Sequence, residues 1–240
     1  MVPERAFFAV QAAFADRWTA VAGIPLADAA LATTTWYHQV GGFGRDFDAA
    51  HLGWRTLTTQ LAIADDAAGL LHATARATAR ATASPSASAS VLGFAWNAEE
   101  FEIRLTFRCD RPGNVSPLAS SELATRRAEL RELVELALRE HPDARWIRGR
   151  SWLYDLEAYR RIFPSAFIRE LTRLPPDLQF LACWGQLLDR FGRVRADLAE
   201  RFLTDVAAAA TTDALEAAFP HPMLETRMDA HAFAVSAPMR

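Results

Sequence analysis

Apolar residues recur at spacings of three and four over residues 4–22, where Phe7, Val10, Phe14, Trp18 and Val21 share one stripe with alanine between them. That period predicts an amphipathic helix, stopped by Gly23 and Pro25. Leu26 to Thr35 suggests a second short helix that passes into an extended Thr33-Thr34-Thr35-Trp36-Tyr37. A loop with three glycines follows, Gly41-Gly42-Phe43-Gly44, and then a helix over 48–63 with Asp48 as candidate N-cap. The period changes from 91 onward. Val91 to Trp96 and Phe101 to Cys109 read as two strands of a hairpin, and in the second Phe101, Ile103, Leu105, Phe107 and Cys109 alternate with Glu102, Arg104, Thr106 and Arg108. A period of two gives one buried face and one wet face. Residues 120–140 return to helical spacing, with Ser120 or Ser121 as cap, a stripe of Leu123, Leu130, Leu133, Val134 and Ala137, and Pro142 beyond the end. A strand is expected from 144 to about Tyr154, a helix after Asp155, and helices over 178–191, 196–210 and about 213–219. The tail from Met223 to Val235 suits a closing strand. The predicted class is α+β: a small antiparallel or mixed sheet mid-chain with helices at both ends.

Between the helical start and the first strand the composition shifts. Residues 72–90 run through Ala-Thr-Arg repeats into Ser84-Pro85-Ser86-Ala87-Ser88-Ala89-Ser90, with little to bury, and read as a linker or inserted loop. The expected organisation is therefore an N-terminal helical part at 1–71, a linker at 72–90, and an α+β core with C-terminal helices at 91–240, or all of these as one domain.

Composition excludes more chemistry than it asserts. All 26 basic residues among the 240 are arginine. Without lysine there is no Schiff base to pyridoxal phosphate and no Walker-A lysine. A GC-rich coding bias toward Arg and Ala explains the absence, and the chemical exclusion stands regardless. A net charge of −3 exerts no overall pull toward nucleic acid or anionic lipid. No apolar stretch approaches a membrane span, and Met1-Val2-Pro3-Glu4-Arg5 lacks a basic signal-type start, so a cytoplasmic setting is expected. Cys109 and Cys183 are read as free thiols without an adjacent base.

The densest chemistry lies in Arg145-Trp146-Ile147-Arg148-Gly149-Arg150-Ser151-Trp152-Leu153-Tyr154. Read as a strand, it places Trp146, Arg148, Arg150, Trp152 and Tyr154 on one face. Such a face stacks a planar group and holds a carboxylate or phosphate by guanidinium forks. The expected substrate-binding residues are Arg148 and Arg150, with Trp152 and Tyr154 as walls, for a small anionic molecule. The competing interpretation is a set of arginines and aromatics stacked on one another without a ligand. His38 and His51, with Asp46 and Asp48 between them, are candidate metal ligands, but their spacing matches no standard zinc or iron pattern, so no metal is expected. Leu153 stands where a nucleophile elbow needs glycine.

Two resemblances attach to these residues. The run Arg148-Gly149-Arg150-Ser151-Trp152-Leu153-Tyr154, with Leu156-Glu157-Ala158-Tyr159-Arg160-Arg161 and Phe163-Pro164, resembles a motif of uncharacterised bacterial proteins, which implies no activity. The order hairpin, long helix, strand and short helix over 91–163 is similar to the central part of GNAT-type acyltransferases. That resemblance implies acyl transfer, coenzyme A as carrier, and Tyr159 as the helix tyrosine acting as general acid. The family's glycine-rich pyrophosphate loop is absent, since Pro112-Gly113-Asn114-Val115-Ser116-Pro117 holds a single glycine. Three functions are therefore carried forward: an enzyme for an anionic substrate, a non-catalytic binding or interaction module using the same face, and a metal enzyme built on His38 and His51.

Overall fold

The computed structural model describes residues 4–42, 51–62, 68–72, 74, 91–107, 115–176, 178–179 and 181–236. Phe43, Gly44, Asp46, Asp48, the low-complexity run from 75 to 90, Cys109 and the loop 110–114 lie outside these residues. Two compact units emerge, one joining the N-terminal residues to 176–220, the other joining the residues up to 175 that carry the sheet to those from His221 onward.

The first unit is helical. Helix α1 (Arg5–Ala22) buries Phe7, Phe8, Val10, Gln11, Phe14 and Ala15, and ends at Gly23, whose φ of 67° turns the chain left-handed. Helix α2 (Leu26–Thr33) follows. Thr33 closes α2, Thr34 and Thr35 form a bend, and Trp36 and Tyr37 are helical, so the extended segment expected over 33–37 does not form. The hydroxyls of Thr33 and Thr34 donate to the carbonyls of Ala29 and Ala30 at 2.7 and 2.6 Å, and the Thr35 N–H donates to Gln11 at 2.9 Å. Local side-chain bonds thus replace the ladder partners a strand would need. Helix α3 (Leu52–Leu61) is capped by His51, whose Nδ1 accepts from the Trp54 N–H at 3.3 Å.

The segments after 176 complete this unit, although they follow the sheet in sequence. Phe14 stacks on Phe202 at 5.7 Å and meets Phe219 at 5.6 Å and Trp184 at 5.4 Å. The apolar stripe of the helix Ala196–Ala208 finds its complement on α1, so packing assigns 176–220 to the N-terminal helices. The helix expected over 178–191 is only Leu181–Trp184 with a further turn at Gly185–Leu187. Beyond it the chain makes a tight turn, because Asp189 accepts from the N–H groups of Phe191 and Arg193 and Gly192 adopts a φ of 78°.

The second unit carries the expected sheet. Strand β1 (Leu92–Asn97) pairs antiparallel with β2 (Glu102–Phe107). Helix α4 (Leu123–Glu140) then crosses over to β3 (Trp146–Ser151), parallel to β2. After helices α5 (Glu157–Arg160) and α6 (Ser165–Arg169) comes the edge strand β4 (Thr172–Leu174). Strand β5 (Met223–Asp229) enters between β3 and β4, antiparallel to both, giving the order β1-β2-β3-β5-β4. The tail expected as one strand divides here, since residues Ala230–Ser236 form a closing helix that shares the core layer with α5 and α6. The architecture is the α+β class with a mixed sheet mid-chain.

One face of the sheet is apolar. Ile103, Leu105 and Ile147 pack with Leu130, Val134 and Ala137 of α4 and with Tyr154, Tyr159, Phe163, Phe167 and Phe233. Phe101 departs from the alternation expected of it: it sits in the turn with a φ of 51°, exposed, under the guanidinium of Arg145. The opposite residue, Glu102, departs the other way and is fully buried. Among the described residues no helix is long and apolar enough to cross a membrane.

Candidate functional site

The polar face of the sheet gathers the charges. Register sets Arg104, Arg148 and Arg227 side by side on β2, β3 and β5. Three neighbouring guanidinium groups repel one another unless counter-charge is interposed. Glu102 supplies it from the adjacent row. Its Oε1 accepts from Arg104 Nε at 3.0 Å and Arg148 Nη1 at 3.4 Å, and its Oε2 lies 3.2 Å from Arg227 Nε without hydrogen-bond geometry. Glu225 takes the second share of Arg148, accepting from its Nε at 2.6 Å. Burial works against the charge on Arg148, but the hydrogen bonds and charges of Glu225 and Glu102 outweigh it and raise the pKa above the ordinary arginine value. Arg227 also covers the ring of Trp146 at 4.5 Å.

The β2–β3 ladder ends at Leu105–Gly149, short of the end of both strands. A cavity of about 280 Å³ opens there, lined by Arg104, Leu105, Arg148 and Arg150. Arg148 and Arg150 thus occupy the face the alternation predicts.

The expected walls do not. Strand geometry stops at Ser151, whose hydroxyl accepts from the Leu153 N–H at 3.1 Å and starts a tight turn over Trp152–Asp155. The change of period carries Tyr154 to the core face, where it is 1% exposed and lies beneath Gly149. Burial, then Tyr159, pushes the Tyr154 pKa well above the usual phenol value. Tyr159 is likewise buried in the core layer, edge-on to Phe107 at 5.2 Å and to Tyr154 at 4.9 Å. Trp152 stacks on His221 at 5.4 Å. His221 Nδ1 lies 2.8 Å from Asp155 Oδ2, forming a histidine–carboxylate pair where β3 ends. A carboxylate on Nδ1 orients the imidazole and leaves proton exchange to Nε2.

Glu102, Arg104, Glu225 and Arg227 belong to this site and are not evident in the sequence as a group. The alternation in β2 singles out Glu102 and Arg104 as polar, but no local signal says which strands flank them. His221 and Asp155 are 66 residues apart and meet only through the insertion of β5.

In the helical unit, Tyr37 meets the rings of both His38 and His51, at 5.6 Å each. His51 uses Nδ1 as a helix cap. Among the described residues no group of three His, Cys, Asp or Glu side chains is arranged to hold a metal ion. Cys183 is fully buried.

Comparison with protein-family models, with curated proteins and with solved structures finds no match to this chain.

Proposed function

We propose that the sheet-bearing unit binds a small anionic substrate at the end of the β2–β3 ladder and acts on it as an enzyme, with acyl transfer as the specific reaction. One observation carries this reading: the cavity of about 280 Å³ lined by Arg104, Arg148 and Arg150. Guanidinium forks at that position suit a carboxylate or phosphate. The anchoring of Arg148 by Glu225 and Glu102 supports it further, since a fixed fork loses less entropy on binding. The order hairpin, helix α4, parallel strand β3 supports the acyltransferase version. Tyr159, buried in the core layer on the other face of the sheet, does not line the cavity and is left out of the proton transfer. In that version an acceptor amine would attack the acyl carbonyl, the thiolate of a coenzyme A thioester would leave, and the proton given up by the amine would pass to that thiolate. The His221–Asp155 pair favours an enzyme over a binding module, because it adds an acid–base group beyond β3.

A second reading, a non-catalytic module, has its own support in the ion pairs that already satisfy much of Arg148. Two measurements separate them. Calorimetry of the protein against mono- and dicarboxylates, inorganic phosphate and acetyl-coenzyme A should find a ligand that Arg150→Ala weakens by about 1.5–3 kcal/mol, with Arg150→Lys recovering part. Thiol release from acetyl-coenzyme A with a panel of amines should fall in Arg150→Ala and in His221→Ala. Binding without release would favour the module. Affinity unchanged in Arg148→Ala and Arg150→Ala, with a lowered melting temperature, would assign both arginines to structure and end the site hypothesis.

A further inference from the structure

On the outer side of the helical layer that covers the sheet, α4, α5 and α6 border a second concavity, open to solvent and of about 650 Å³. Its lining includes Arg127, Arg160, Arg161 and Arg169, with Glu157 as the single carboxylate among the described residues and Ile168 as the partly exposed apolar side chain of the floor, beside the mostly buried Phe163. Four arginines against one glutamate stand out in a chain whose net charge is −3. Two of the four are fixed. Arg127 donates from Nε and Nη2 to the Arg161 carbonyl at 3.1 and 2.9 Å, and Arg161 pairs with Glu157. Arg160 and Arg169 make no side-chain hydrogen bond or ion pair among the described residues. Arg160 acts on Glu157 through its charge alone, after Arg161, so one carboxylate is shared among several guanidinium groups and a net positive field remains over this partly apolar surface. Folding does not require such an arrangement, and an anion would relieve it.

We propose that this cleft binds a polyphosphorylated small molecule of nucleotide size, its phosphates held by the arginines and its planar part resting on the apolar floor at Ile168. The volume lies in the range of small-molecule sites, and the charge exceeds what one carboxylate would neutralise. The cleft shares no lining residue with the 280 Å³ cavity of the sheet's polar face. The inference does not depend on the enzymatic reading above.

The test is titration calorimetry of the full chain at low salt with ATP, inorganic pyrophosphate and adenosine. ATP should bind, pyrophosphate more weakly, and adenosine without detectable heat. The double variant Arg160→Ala/Arg169→Ala should weaken ATP by about 100-fold, roughly tenfold for each charge-assisted hydrogen bond removed. Its melting temperature should change little, since among the described residues neither side chain makes a hydrogen bond or close ion pair, and Arg160 acts on Glu157 only through its charge. Arg169→Glu, at an exposed position, should weaken binding at least as much as Arg169→Ala. Arg195→Ala/Arg201→Ala removes the same charge from exposed positions elsewhere and should leave affinity intact. No ATP binding at millimolar concentration overturns the proposal, as does equal affinity in the cleft variants or equal weakening in the control pair. Weakening in Arg150→Ala alone would move the ligand to the sheet cavity and overturn the cleft while supporting that cavity as a site.

Discussion

Gly149 is the tightest point between the sheet and the layer beneath it. A Cβ at that position would stand 1.9 Å from the Tyr154 hydroxyl oxygen, 2.6 Å from Cζ and 2.9 Å from Cε2. An ordinary approach needs roughly 3.5 Å, so the phenol would have to retreat by about 1.5 Å. It has nowhere to go. The ring is 1% exposed and wedged between Tyr159, Phe163 and Phe167, whose centroids lie 4.9, 5.2 and 6.2 Å away. Close-packed interiors yield little to such a push, and Gly149→Ala should cost about 3 kcal/mol, the upper end for overpacking. That corresponds to a fall in melting temperature on the order of 10 °C. Tyr154→Phe removes the nearest atom but leaves Cζ in the way, so Gly149→Ala/Tyr154→Phe should recover only about 1 kcal/mol of the deficit. Urea unfolding of the four proteins in a double-mutant cycle measures both quantities. A Gly149→Ala protein within about 0.5 kcal/mol of wild type, or strict additivity with Tyr154→Phe, would refute the reasoning.

Two further outcomes follow from the same unit. Glu102→Gln keeps the shape of the buried side chain but removes the counter-charge of three arginines. It should destabilise by about 2 kcal/mol, less than a fully buried pair because the arginines are 24–47% exposed and screened. The deficit should shrink in 1 M sodium chloride, and unchanged stability at low salt would remove Glu102 from its assigned role. The folded pKa of Tyr154 lies well above the ordinary 10.0, through burial first and Tyr159 second. The native state therefore holds a proton that the unfolded chain releases, so stability is whole below pH 10 and is lost as pH rises beyond it toward the folded value. A series of urea midpoints from about pH 8 upward should show that fall, reduced in Tyr154→Phe; an identical slope in both proteins would contradict it.

Much of the fold is legible along the chain wherever one physical rule acts over a few residues. The three-and-four stripe of Phe7, Val10 and Phe14 becomes α1, and the alternation of Ile103 and Leu105 becomes the buried face of β2. The same rule fails at the ends of elements. Alternation counts Tyr154 with Arg148 and Arg150, but the Ser151 hydroxyl ends the strand and returns Tyr154 to the core. It counts Phe101 as buried, yet a tight turn at φ 51° turns it outward. Short-range hydrogen bonds decide such boundaries, and side-chain period carries no information about them.

The sequence by itself determined the α+β class, the hairpin, the long helix after it, and the presence of Arg148 and Arg150 on one strand face, because each depends on propensity and period within a single segment. Tertiary structure alone decided that β5 enters between β3 and β4, and with it the meeting of Glu225 and Arg227 with Arg148 and of His221 with Asp155. It also decided that the helices between residues 176 and 220 join the N-terminal unit. These are choices of partner between segments far apart in the chain. Many pairings would bury similar apolar area, and the selection is made by packing shape and by whether each buried charge, Glu102 above all, finds its counter-charge.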